Sequence, residues 1–434
     1  MDKKLRVLVV SYLPWRNDVS VGNTLTNLFE GLKDKIEFAN IYFKGGKPNN
    51  SVASKYFYIP EGQLAKSIVT RKNVGSEIYC ENEPEEKLSN SYNKARQLRW
   101  ESLLLVQDLI GVFGKWKSDR LDKFIKEFEP DIVFGPLGRV PAGNLMMVYL
   151  KDKFHVPVVT YAWDDHYSLH KKSKSIFFWI KTLIERKYIR KCADISSYIY
   201  TITEPMAREY SEYFHKECKL LYKAYDFGGA ADLKESVSDP IKIIYMGNTG
   251  LGRWKVLAEI VKALEEINAY EKKAQLYIYT MTPLSEKARN LLDVPGISQL
   301  MKPVDDDQVL PTMRSADILL HVEPTDEKER LFFRLSFSTK IVDYLYSARC
   351  IFAVGGETAA MQYLKNNDAA IVTVDNKQIT GELSRLTDDP NLIIQYGKKA
   401  WDCGVRNHQR TTIQGNIYND FKKLVREESC ERIN

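Results

Sequence analysis

Apolar residues in this chain fall into short solid runs separated by amphipathic stretches. Residues 5–12, LRVLVVSY, form a nearly continuous apolar run of the kind expected for a strand buried on both faces of a parallel sheet. A loop with Gly22 follows, and the spacing then predicts a helix over 23–32 and a strand over 36–43. Residues 94–110 carry Leu98, Leu103, Leu104 and Leu105 in a helical pattern, and 121–128 predict another helix. Glu129 and Pro130 lead into a strand at 131–136, and 156–162 predict one more. The pattern restarts at 241–247, IKIIYMG, with a helix over 256–268 and strands at 274–280 and 316–322. Such alternation predicts an α/β chain with doubly wound, Rossmann-like sheets.

A length of 434 residues exceeds what one hydrophobic core usually serves, so two domains are expected. Residues 228–240, GGAADLKESVSDP, are small, polar and turn-forming, and read as the linker between domains at 1–227 and 241–410, with 411–434 as a C-terminal helix. The net charge of +6 suits an anionic ligand or an anionic membrane surface but falls short of a nucleic-acid signature. Six scattered cysteines with no CxxC pair argue against a disulfide framework or zinc site and fit a reducing cytosol. The N-terminal apolar run is too short for a signal sequence, and no stretch reaches the roughly 18 apolar residues a membrane span requires.

The segment 331–357, LFFRLSFSTKIVDYLYSARCIFAVGGE, reads as loop, helix, buried strand and tight turn. Ser338, Thr339 and Lys340 stand where the helix begins, and a helix start offers unpaired N–H groups and partial positive charge to an anion. Asp343 lies in its first turns, placed to take the hydroxyls of a sugar or ribose. A second glycine loop, GNTGLGRWKVL, has Gly247 and Asn248 at a strand end, then Arg253 and Lys255; two cations there suit a diphosphate. The plainer reading is a solvated basic turn opening an amphipathic helix. Gly22 would let a ligand approach a helix start, or would simply turn the chain. It is not part of a GxGxxG fingerprint. Asp164, Asp165 and His166 follow the strand at 156–162; one of them could orient or deprotonate a hydroxyl, or the aspartates could cap the next segment. His321 and Glu323 close another strand, Glu323 toward a cleft and His321 as a packed residue. Residues 171–191, KKSKSIFFWIKTLIERKYIRK, mix aromatic, apolar and basic positions, fitting either an anionic bilayer surface or a domain helix docked on its sheet. No convincing metal-ligand pattern occurs.

On YMGNTGLGRWKVL, the acidic cap before ADILLHVEP, and above all LSFSTKIVDYLYSARCIFAVGG, the chain resembles the GT-B glycosyltransferases, specifically the retaining family 4. The resemblance implies two Rossmann-like domains facing across a cleft, the first binding the acceptor and the second a nucleotide-sugar, with the C-terminal helix crossing back. It implies that Arg253 and Lys255 clamp the donor diphosphate. Ser338, Thr339 and Lys340 would face the phosphates, Asp343 would grip the ribose, and Gly22, Gly247 and Asn248 would border the donor. Asp164 or Asp165 would line the acceptor side. Leu335 stands where many members have a glutamate, and Asn248 where an arginine is usual.

The implied activity is transfer of a hexosyl or related sugar from a nucleotide-sugar to an acceptor hydroxyl, without metal or other cofactor. A lipid-linked glycan in cell-surface polysaccharide synthesis is the expected acceptor, met in the cytoplasm or at the inner membrane face. A nucleotide-sugar epimerase of the same shape, or a transferase-like binding protein without activity, are the alternatives.

Overall fold

The computed structural model describes residues 4–78 and 101–431. The chain divides into two compact units, Met1–Lys223 with Arg410–Asn434, and Ala224–Gln409.

The first unit is built on an eight-stranded sheet in the order β4-β3-β2-β1-β5-β6-β7-β8. Its strands are β1 Leu5–Val10, β2 Ile36–Tyr42, β3 Ala53–Tyr58, β4 Ser76–Ile78, β5 Ile132–Pro136, β6 Val158–Ala162, β7 Ser196–Thr201 and β8 Cys218–Leu220. All neighbours pair parallel except β3 with β4. Val7 to Val10 are fully buried, as a central strand covered on both faces requires. The helix Asp119–Phe128 shows how local sequence sets the layers. Ser118 caps it by accepting from Leu121 N (3.2 Å), and Leu121, Phe124, Ile125 and Phe128 bury one face at helical spacing. The helix Arg410–Glu431 completes this unit: the Phe421 ring lies 6.2 Å from Phe134 and 6.4 Å from Phe29, and Asp420 accepts from Tyr200 Oη (2.6 Å) and Lys219 Nζ (2.8 Å).

The second unit carries a six-stranded parallel sheet in the order β11-β10-β9-β12-β13-β14. These strands are β9 Ile241–Met246, β10 Ala274–Tyr279, β11 Ser298–Met301, β12 Ile318–Glu323, β13 Cys350–Gly355 and β14 Ile371–Thr373. The chain order reverses between β9 and β12, the place where open sheets of this kind leave a crevice at their C-terminal ends. Here β9 pairs β12 only at Ile243 with Ile318 and Ile244 with Leu319.

Residues 228–240, read from composition as a linker, are fastened to the second unit. Asp317, its side chain wholly buried, takes Lys234 Nζ, Ser238 N (3.1 Å) and Lys242 N (2.7 Å), while Asp232 lies 3.3 Å from Arg314 Nε. Polar composition marked a surface segment, and its Asp232 and Lys234 find partners in the second unit. Residues 94–100 of the helix expected over 94–110 lie outside the described residues; the remainder forms the helix Glu101–Phe113. The helix read as starting at 23 begins at Ser20, which puts Gly22 inside its first turn.

Candidate functional site

Beyond Ile244 and Leu319 the β9–β12 ladder ends, and a cavity of about 200 Å³ opens there. Its lining includes Tyr245, Met246, Asn248, Arg253, Ser338 and Lys340, with His321 and Tyr344. Three separate stretches of sequence thus meet at one point: the glycine loop after β9, the end of β12, and the start of the helix Lys340–Ser347.

The glycine loop is held in place by its own polar atoms. Tyr245 Oη donates to Asn248 O (2.7 Å), and Asn248 Oδ1 accepts from Gly250 N (2.6 Å) and Thr282 Oγ1 (3.1 Å). Gly252 takes φ +84° as the residue before the helix Arg253–Ile267, a conformation natural to glycine. A side chain at Gly247 would begin 3.0 Å from Lys340 Nζ, so glycine there gives the ammonium its room.

Arg253 is anchored from three sides. Its Nε donates to Val322 O (3.1 Å), its Nη2 lies 3.6 Å from Glu323 Oε2, and its guanidinium stacks 4.5 Å over the Phe333 ring. Lys340 is exposed along much of its side chain, yet its Nζ donates to Met246 O (3.2 Å). Its pKa is lowered, first by the protein atoms crowding the ammonium and then by Arg253, while Asp343 acts in the opposite sense. Two cations that disfavour one another in one cavity are a standing attraction for an anion. The helix Arg253–Ile267 adds to this, because Arg253 and Lys255 occupy its positive end where acids are normally favoured.

Lys255 turns away from the cavity to an exposed ion pair with Asp326 (2.5 Å). Asp343 sits half-buried in the first turn of the helix Lys340–Ser347, whose N-cap, Thr339, makes no side-chain cap bond. Leu335, in the place where a glutamate is usual in the resembled family, is buried at 3% exposure.

In the first unit the expected residues find other partners. The space that a side chain would take at Gly22 is filled by the Arg16 backbone, whose carbonyl oxygen lies 2.0 Å from the ideal Cβ position. The close approach is therefore between two pieces of this chain. Asp165 is buried after β6 and accepts from Ser168 N (2.9 Å), Ser168 Oγ and Tyr210 Oη (3.3 Å). That is the work of a turn cap. Asp164 beside it is half-buried. His166 is pushed down to about 3 by burial, with Arg139, Lys171 and Lys181 adding to the effect, so its ring is neutral near pH 7.

Sequence reading missed Tyr245 and Tyr344, whose aromatic periodicity looks like core. Tyr344 Oη points back to Met246 O at 3.4 Å. Glu323 was expected toward a cleft and His321 as a packed residue, without a link to Arg253. They are buried and joined, His321 Nε2 to Glu323 Oε1 at 3.1 Å, with Glu323 Oε2 directed to Arg253. The signal that could have found them is the strand-end position itself, next to a basic glycine loop.

Solved structures share this architecture. HepE of Anabaena, solved with UDP and glucose, aligns at a TM-score of 0.60 and 8% identity over 96% of this chain and 100% of that one. An α,α-trehalose-phosphate synthase (UDP-forming) from Burkholderia vietnamiensis aligns at 0.58 and 10% identity, covering 97% and 100%. TarM of S. aureus, solved with UDP, α-GlcNAc-glycerol and fondaparinux, aligns at 0.60 and 8% identity, covering 96% and 99%. No family model and no curated protein sequence matches the chain. At such identities the likeness is one of fold: the chain has the GT-B fold, with two Rossmann-like α/β domains.

Proposed function

We propose that the protein is a retaining glycosyltransferase that moves a sugar from a UDP-sugar to a hydroxyl of a lipid-linked glycan, in the making of a cell-surface polysaccharide. The observation that carries the donor half is the meeting of Arg253, Lys340 and Ser338 in one cavity at the ends of β9 and β12. The choice of UDP draws on the neighbours, of which HepE and TarM were solved with it.

In this reading the diphosphate lies between Arg253 and Lys340, with the Ser338 and Thr339 region offering donors at the helix start. Asp343 takes the ribose hydroxyls. As the glycosidic bond to the donor breaks, negative charge grows on the leaving diphosphate, and the fixed guanidinium and ammonium stabilise it without rearrangement. Glu323 and Phe333 hold the guanidinium in its pose, so little entropy remains to be lost. The two cations take the part a divalent metal plays in other diphosphate sites, and activity should survive a chelator. In this reading the acceptor-side role is given to Asp164, half-buried beside Asp165 just after β6.

A thermal-shift screen of UDP, GDP and ADP tests this directly. UDP at 100 times its dissociation constant should add about 2.7 kcal/mol of stability. No stabilisation by any of the three would sink the proposal. Incubation with UDP-sugar alone should give only slow hydrolysis; a new nucleotide-sugar would make the protein an epimerase.

A further inference from the structure

The helix Ile176–Ile195 is built inside out over its first half. Its inward side carries Thr182 and Glu185, both buried, and Lys181, whose Nζ binds Glu185 and lies 3.8 Å from Asp108 Oδ2. Its outward side carries Ile176, Phe177, Ile180 and Leu183, which are 69%, 49%, 42% and 58% exposed. The helix Glu101–Phe113, packed beside it, repeats the arrangement: Asp108 is buried while Leu103 and Val106 are 42% and 50% exposed. Ions are inside and hydrocarbon is outside on two neighbouring helices. Water makes that the unfavourable order, since each apolar side chain left out forgoes burial worth roughly 25 cal/mol per Å².

The charges along the start of this helix are mostly positive; the acid further along, Asp194, lies 3.8 Å from Arg190 Nε. Residues 171–191 hold eight lysines and arginines and one acid, Glu185, which is buried against Lys181. Lys172 and Lys174, exposed, stand just before the first exposed apolar residue. A second copy of this chain would bring like charges together. A surface of anionic headgroups over hydrocarbon matches both features at once. Among the described residues no helix is long and apolar enough to cross a membrane, so the contact is one of lying on the surface.

We propose that this face of the first unit docks on an anionic lipid bilayer. Ile176, Phe177, Ile180 and Leu183 enter the acyl boundary, while Lys172 and Lys174 meet the headgroup phosphates. The inference stands on this face alone and does not depend on the nucleotide reading, which is measured on the other unit without lipid.

The test is co-sedimentation of the full chain with phosphatidylcholine vesicles, with and without phosphatidylglycerol. Wild type should pellet with the phosphatidylglycerol vesicles and stay largely in solution with phosphatidylcholine alone. Phe177→Asp with Ile180→Asp should reduce the bound fraction about tenfold or more. Lys172→Glu with Lys174→Glu should reduce it by a similar factor and weaken its salt dependence. Both variants change exposed positions and should keep the wild-type circular dichroism and UDP response. Wild type that ignores both vesicle types overturns the proposal, as does equal binding to both. So does a concentration-dependent dimer that Phe177→Asp abolishes, because the face then belongs to a second copy.

Discussion

The helices Arg253–Ile267 and Ile176–Ile195 both follow a strand of a parallel sheet and both carry cations near their starts, yet they treat their apolar residues oppositely. In the first, Val256, Leu257, Ile260, Val261 and Leu264 are buried in the usual stripe, and only its opening cations, Arg253 and Lys255, break a rule by sitting at the positive helix end. In the first half of the second, the stripe itself is displaced: Thr182 and Glu185 are buried while Ile176 and Leu183 are exposed, and only further along do Ile189, Cys192 and Ala193 turn inward. The lesson is that each helix departs from stability rules at one place, and that place is where a ligand or surface is wanted.

Core substitution draws the contrast most sharply. Leu257→Ala should cost about 2–5 kcal/mol in urea denaturation, whereas Leu183→Ala should stay within about 0.5 kcal/mol. Comparable losses would mean that Leu183 belongs to a core and the contrast is void. Next in size, Arg253→Ala should weaken UDP binding roughly 10- to 100-fold by calorimetry, the equivalent of about 1.5–3 kcal/mol for a lost charge-assisted bond.

The buried ions under the second helix predict a pH effect. The Asp108 carboxyl is raised to about 7, mainly by burial, with Glu185 adding to the rise and Lys181 and Arg139 opposing it. A carboxyl with a higher pKa folded than unfolded binds more protons when folded, so the Asp108 contribution to stability is complete below about pH 4 and is lost as pH rises through about 7. Wild type should lose on the order of 1–3 kcal/mol between pH 5 and 8, and Asp108→Asn should flatten that slope. An unchanged slope would place the titrating group elsewhere. The smallest effect belongs to Lys255→Ala, which should change UDP affinity by less than about fivefold, because its exposed partner Asp326 already occupies it. A loss equal to that of Arg253→Ala would bring Lys255 into the cavity.

The strongest strands were legible because burial on both faces leaves a nearly continuous apolar run, as in β1, β9 and β12. Strands β4, β8, β11 and β14 have three or four residues each and lie at or near sheet edges, too short to show a period. The helix start at Lys340 and the acid at Asp343 were readable from local order. Lys340 meeting Arg253 in one cavity was readable only in outline, since it depends on β9 and β12 being neighbours and on where their ladder stops. Asp165 illustrates the opposite limit. Its position at a strand end suggested chemistry, but the serine three residues on claims it, and a sequence shows candidates for hydrogen bonding without showing which are taken. The outward face of the helix Ile176–Ile195 was ambiguous because composition alone cannot say which side of a helix is covered.

The helix Arg410–Glu431 has a consequence for the order in which the protein comes into being. It is synthesised after the whole of Ala224–Gln409, yet its Ile417 and Phe421 belong to the core of the unit that contains β1. Between the two, the ribosome delivers all of Ala224–Gln409, a self-contained unit. A growing chain therefore holds Phe29 and Phe134 without their final neighbour while the second unit takes shape. Of these two units, the one that starts earlier in the chain is the one completed later.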